Sequence, residues 1–131
     1  MIVVDASAIL ELLLRTEVGL RVEKRLLSPR ESLHAPHLLD VEVAQVVRRL
    51  AATNKLPEER GGEALLDLAD LPLARYAHDP LLPRIWELRH NVTAYDAAYL
   101  ALAEALRAPL VTCDARLASA PGHSADVQVC R

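Results

Sequence analysis

The stretch Thr93-Ala94-Tyr95-Asp96-Ala97-Ala98-Tyr99-Leu100-Ala101-Leu102-Ala103, followed by Leu110-Val111-Thr112-Cys113-Asp114, decides how the chain is read. Its first part has the length and apolar content of a buried helix with one carboxylate near its start. Its second is a short β-branched run that ends at another acid. Ile2-Val3-Val4 followed by Asp5 repeats that strand-then-acid arrangement at the start of the chain. A fourth acid, Glu42, falls among the apolar positions Leu39, Val43, Val46, Val47 and Leu50, which recur at helical spacing over Leu38 to Thr53.

Between these landmarks, strands and helices alternate. Asp5-Ala6-Ser7-Ala8 opens an amphipathic helix through Leu14, and Glu17 to Leu27 forms a second. Ser32 to Pro36 suits a short strand closed by proline. Pro57 is placed to start a helix that Gly61-Gly62 weakens and that recovers over Ala64 to Leu68. Leu71 to Tyr76 reads as an edge strand, where Pro72 is tolerated, and His78-Asp79-Pro80 begins a helix running to His90. Ala115 to Ala118 is a short helix, and Val127-Gln128-Val129 is a last strand. This order is that of a parallel sheet covered on both faces, so the expected fold is a three-layer α/β/α domain spanning residues 1–131.

With 131 residues, 52% hydrophobic and 25% charged, the chain has the composition of one globular domain. Cys113 and Cys130 make no ligand pair or disulfide framework, and no basic leader precedes Asp5. No apolar run approaches the roughly 18 residues of a membrane span. A cytoplasmic protein with no membrane association is the expectation. A net charge of −3 argues against a general electrostatic nucleic-acid binder. All but Lys24 and Lys55 of the fifteen cations are nevertheless arginine, the side chain suited to bidentate phosphate contacts.

Each acid has a structural explanation of its own. Asp5 and Asp114 can cap the helices that follow them, Asp96 stands three residues after Thr93 as in a capping box, and Glu42 can pair with a neighbouring arginine. Convergence of the four gives a different reading. Close carboxylates ionise together only around a cation, and an all-oxygen set suits Mg2+ or Mn2+, whereas the five scattered histidines give no zinc-like spacing. Ser7 and Thr112 stand where a hydroxyl could hydrogen-bond a ligand carboxylate or a water. Such a site points to metal-assisted phosphoryl chemistry.

The order Val3-Val4-Asp5-Ala6-Ser7-Ala8, Ala35-Pro36 and then Glu42, Thr93 to Ala103, and Leu110-Val111-Thr112-Cys113-Asp114-Ala115-Arg116-Leu117 resembles the PIN-domain ribonucleases of the VapC toxin type. The resemblance covers essentially the full chain. It implies a PIN-like sheet of about five mainly parallel strands and a Mg2+- or Mn2+-dependent endoribonuclease. A homodimer is implied as well, and neutralisation by a cognate VapB-type antitoxin that inserts a basic side chain into the acidic pocket. Carried over by position, Asp5, Glu42, Asp96 and Asp114 match the family's acidic quartet, Asp5 and Asp96 foremost as direct metal ligands. Ser7 and Thr112 match its small hydroxyl positions, and Arg116 receives no catalytic role.

Two other readings remain at this point. Val3-Val4-Asp5 also resembles the start of haloacid-dehalogenase-type aspartyl-phosphate phosphatases, with Ser7 where that family has a second acid. A non-catalytic interaction module with the same fold would use the acids as caps. With 3% aromatic residues, RNA recognition is expected to rest on backbone phosphates and RNA shape rather than on base stacking.

Overall fold

A computed structural model describes all residues 1–131. Five strands, β1 (Ile2–Val4), β2 (Leu33–Pro36), β3 (Leu73–Tyr76), β4 (Leu110–Thr112) and β5 (Val127–Val129), form one parallel sheet in the order β3-β2-β1-β4-β5. The helices are α1 (Ala6–Leu13), α2 (Glu17–Leu26), α3 (Leu38–Ala52), α4 (Glu58–Asp70), α5 (Leu82–Glu87), α6 (Ala94–Leu106) and α7 (Ala115–Ser119). From β1 the chain steps outward to β2 and β3, then returns across the sheet to β4 and β5. Right-handed crossovers put α1–α4 on one face and α5–α7 on the other, which gives the expected three layers. The reversal of direction falls between β1 and β4, and open α/β sheets bind ligands at the carboxyl ends of strands at such a switch point.

The core is aliphatic, as an absence of Phe requires. In α6 every residue from Ala97 to Ala103 is buried, because the helix lies under β1, β2 and β4 and is covered by α5. Buried alanines at 97, 98, 101 and 103 let the helix pack closely against its neighbours, while Tyr99, Leu100 and Leu102 supply the bulk that fills the core. Thr93 caps the helix, its Oγ1 accepting from the Asp96 N–H at 3.2 Å, and Arg107 ends it in the left-handed region at φ 52°.

Two helix expectations are corrected. Gly61-Gly62 does not interrupt α4, because Gly61 lies where α4 crosses α3. A Cβ there would stand 3.1 Å from Val47 Cγ1, so the glycine permits the crossing rather than breaking the helix. The helix expected from His78 to His90 is instead a 3-10 turn, Asp79–Leu81, followed by the six residues of α5. Pro83 has no N–H to return to Asp79, so no continuous α-helical ladder can form across it.

Glu104 fastens the return leg. It accepts from Arg84 Nε at 2.8 Å, Arg84 Nη2 at 3.0 Å, and the Ser124 N–H and hydroxyl at 2.8 and 3.0 Å, joining α5, α6 and the approach to β5. Arg84 holds its carboxyl down at about 2. A carboxylate with a depressed folded-state pKa stabilises above its unfolded value of 4.5, and loses that contribution as pH falls through about 2. Glu104→Gln is therefore expected to cost on the order of 2 kcal/mol at pH 7, with the difference from wild type vanishing near pH 2. Urea denaturation across that range checks it.

Candidate functional site

Asp5 leaves the carboxyl end of β1 in extended conformation and caps α1, so one side chain serves both the helix and the sheet edge. Its Oδ1 accepts from the Ala8 N–H at 3.1 Å and from Ser7 Oγ at 2.7 Å, and its Oδ2 accepts from Thr112 Oγ1. Ser7 in turn accepts from the Cys113 N–H at 2.9 Å, and Thr112 Oγ1 accepts from the Asp114 N–H at 2.9 Å. The ends of β1 and β4 are thus laced through two hydroxyls, and Asp5 is held in one orientation with a lone pair of Oδ2 left over.

Glu42 comes from the second turn of α3. Tyr99, on α6 on the opposite face of the sheet, donates its hydroxyl to Oε1 at 2.5 Å. No arginine pairs with Glu42, so the ion pair expected from sequence is replaced by this phenol. Asp96, in the first turn of α6, is half-buried. Asp114 follows β4, where its Oδ1 caps α7 through the Arg116 N–H at 3.0 Å, and the Arg116 guanidinium contacts both oxygens at 3.3 and 3.2 Å.

The four carboxylates form a closed electrostatic ring. Asp5 and Asp96 each feel the charge of Asp114, and Glu42 feels the charges of Asp96 and Asp5. Burial raises the pKa of Asp5 above the ordinary carboxylate range, against its hydrogen bonds to Ser7, Thr112 and Ala8. Burial also raises Glu42, against the Tyr99 bond and with the charges of Asp96 and Asp5 adding to it. Asp96 is raised by burial and then by the charge of Asp114. Asp114 alone is lowered, by its bonds to Arg116. Burial thus makes three of the four acids harder to ionise, a cost that a cation beside them would offset.

No three acidic, histidine or cysteine side chains are drawn together closely enough to grip one ion as they stand. The donor chemistry, all carboxylate oxygen with hydroxyls behind it, fits a hard divalent cation nonetheless. Cys113 takes no part, since burial pushes its thiol up to about 11 and leaves it protonated. Nor is either lysine at a strand end as phosphatase chemistry would need, Lys24 lying in α2 and Lys55 beyond α3.

Beside the ring, Asp96 and Asp114 line a cleft of about 770 Å3 that Thr93, Arg89, His90 and Arg116 also border. Two partners were missed from sequence. Tyr99 stands three residues after Asp96, a spacing that puts both on one helix face and could have flagged it. Arg116, two residues after Asp114, carried no such signal.

The PIN domain family model matches residues 2–122. Ribonuclease VapC1 of Mycobacterium tuberculosis is 45% identical over 131 residues, covering 98% of this chain and 97% of its own. Ribonuclease VapC12 of the same organism is 40% identical over 129 residues, covering 98% of each. The crystal structure of VapBC2 from Rickettsia felis, bound to a DNA fragment from their promoter, superposes with a TM-score of 0.72 at 14% identity and covers 100% of each chain. At that identity the match speaks for the fold.

Proposed function

Since the chain belongs to the PIN-domain family, among its VapC ribonucleases, we propose that it is a Mg2+- or Mn2+-dependent endoribonuclease and the toxin of a VapBC-type toxin–antitoxin pair. The observation that carries the reading is the ring of Asp5, Glu42, Asp96 and Asp114 at the switch point of the sheet. All four would hold the metal, Asp5 and Asp96 foremost. A divalent cation bound there supplies an activated water and charge stabilisation on the leaving oxygen.

The chain's own residues do the rest. Ser7 and Thr112 fix the Asp5 carboxylate so that Oδ2 presents one direction. Tyr99 occupies Oε1 of Glu42 and leaves Oε2 to accept a proton from the attacking water, a role that its raised pKa favours. Arg116 offsets the charge of Asp114 and stands ready for a phosphate.

The proposed partner is a VapB-type antitoxin that presents a basic side chain to the ring. Val41 and Tyr95 are exposed beside Glu42 and offer apolar surface for that protein or for a second copy in the proposed homodimer. A cytoplasmic setting follows from an RNA substrate, and no helix is long and apolar enough to cross a membrane.

Purified protein is expected to cut RNA in Mg2+ or Mn2+, to stop in EDTA and to resume when metal is restored. Cleavage indifferent to EDTA would defeat the metal mechanism. Folded protein that leaves RNA intact under all these conditions would defeat the ribonuclease reading.

A further inference from the structure

Trp86, the one tryptophan of the chain, stands in the open near the end of α5. It is 67% exposed, and it does not belong to the hydrophobic core or to the side chains packed against it, whereas its neighbour Ile85 does. An indole left in water forgoes one of the larger burial gains available to any side chain, so packing does not account for it. The Arg89 guanidinium lies over its ring, 4.3 Å from the centroid, and Arg89 Nη1 donates to the Trp86 carbonyl at 2.9 Å. Arg89 has no carboxylate partner. Arg89 also borders the cleft that Asp96, Asp114 and Arg116 line, so it joins the Trp86 ring to that cleft.

A chain of net charge −3 with four acids at its candidate centre repels a polyanion unless cations stand along the path by which it enters. In this cleft Arg89 and Arg116 are those cations, and the side chain of Arg116 is 92% exposed. Guanidinium groups grip phosphates, and an aromatic ring at the end of such a path stacks an unpaired base whatever its identity. The lining is mostly polar, with few of the apolar side chains that bury a protein partner.

Resting on the ribonuclease reading, we propose that single-stranded RNA leaves the acidic ring along this cleft, with Arg89 and Arg116 on phosphates flanking the reacting one and an unpaired base stacked on Trp86. Sequence alone suggested recognition without stacking. The structure places the single available indole where a stack can form.

Because the chain has one tryptophan, its fluorescence reports on Trp86 directly. Wild-type protein is titrated with a single-stranded RNA of about a dozen nucleotides, a length that spans such a groove. Ca2+ replaces Mg2+ to fill the acidic ring, and anisotropy of a labelled copy of the RNA follows binding. Trp86 emission is expected to fall by roughly half on the same midpoint as the anisotropy, and Trp86→Ala to weaken binding about tenfold. Arg89→Ala should lower the slope of log affinity against log salt by about 0.7.

Saturable binding with unchanged emission, or a Trp86→Ala protein that binds as well as wild type, overturns the proposal. So does emission that shifts with protein concentration alone, which assigns Trp86 to a protein contact. Cleavage in Mg2+, measured in parallel, separates the two readings. Normal cleavage with unquenched Trp86 defeats the stacking site only, whereas a folded wild type that neither binds nor cuts RNA defeats the ribonuclease reading as well.

Discussion

Asp96→Asn is expected to lower kcat for RNA cleavage by at least about a thousandfold, the scale of losing several kcal/mol of charge stabilisation, while the protein stays folded. The substitution is isosteric. The cap of α6 uses the backbone N–H of residue 96 and the hydroxyl of Thr93, neither of which it removes. What it removes is a negative charge that burial and Asp114 make costly to ionise. The raised pKa fixes the sign. The contribution of Asp96 to stability is intact below its unfolded value of 3.8, and is lost as pH rises through the higher folded value. In EDTA at neutral pH the variant should therefore match or exceed the wild-type Tm, and adding Mg2+ should raise only the wild-type Tm. A gel assay and thermal melts across pH decide it. Wild-type cutting by the folded variant removes Asp96 from the site, and a Tm lower by about 8 °C or more would make its role structural.

The second large effect concerns the helix that carries Asp96. Leu100 is 0% exposed inside α6, and Leu100→Ala leaves a void between the sheet and α5 that an alanine-rich helix cannot close by moving inward. The expected loss is about 4 kcal/mol, toward the upper part of the range for buried Leu→Ala changes. In a chain of this size that lowers Tm by about 10 °C or more. Leu66 on α4 is 69% exposed, and Leu66→Ala is the control, expected to stay within about 0.5 kcal/mol. Urea titrations of the two variants check the pair, and equal losses would mean that α6 is not the packed centre of the fold.

β1, β4 and β5 were legible as short runs rich in Val, Ile and Thr, and β2 and β3 as short runs beside the prolines at 36 and 72, and the three-layer arrangement followed from their alternation with helices. The acids stood out because each interrupts an apolar setting, and in the structure they are electrostatic neighbours, although no three stand close enough to grip one ion. What could not be read depends on contacts between distant segments. Gly61 looks like a breaker until Val47 is known to lie against it, and Pro83 splits a helix whose apolar spacing otherwise continues. The phenol on Glu42 and the guanidinium on Asp114 are likewise products of the fold. Trp86 stands in solvent because α5 ends after six residues, an end that helical spacing over His78 to His90 does not reveal.

The place of β1 bears on how the protein folds. Residues 2–4 lie at the middle of the sheet, and one of their two neighbouring strands, residues 110–112, comes from far along the sequence. Non-local parallel pairing is slow to form, because the intervening chain must first be brought together. Asp5 therefore meets Thr112 and Asp114 only when that long-range pairing is made. For a chain proposed to attack RNA, a partly folded molecule then lacks the assembled ring of acids, and the centre forms only together with the middle of the sheet.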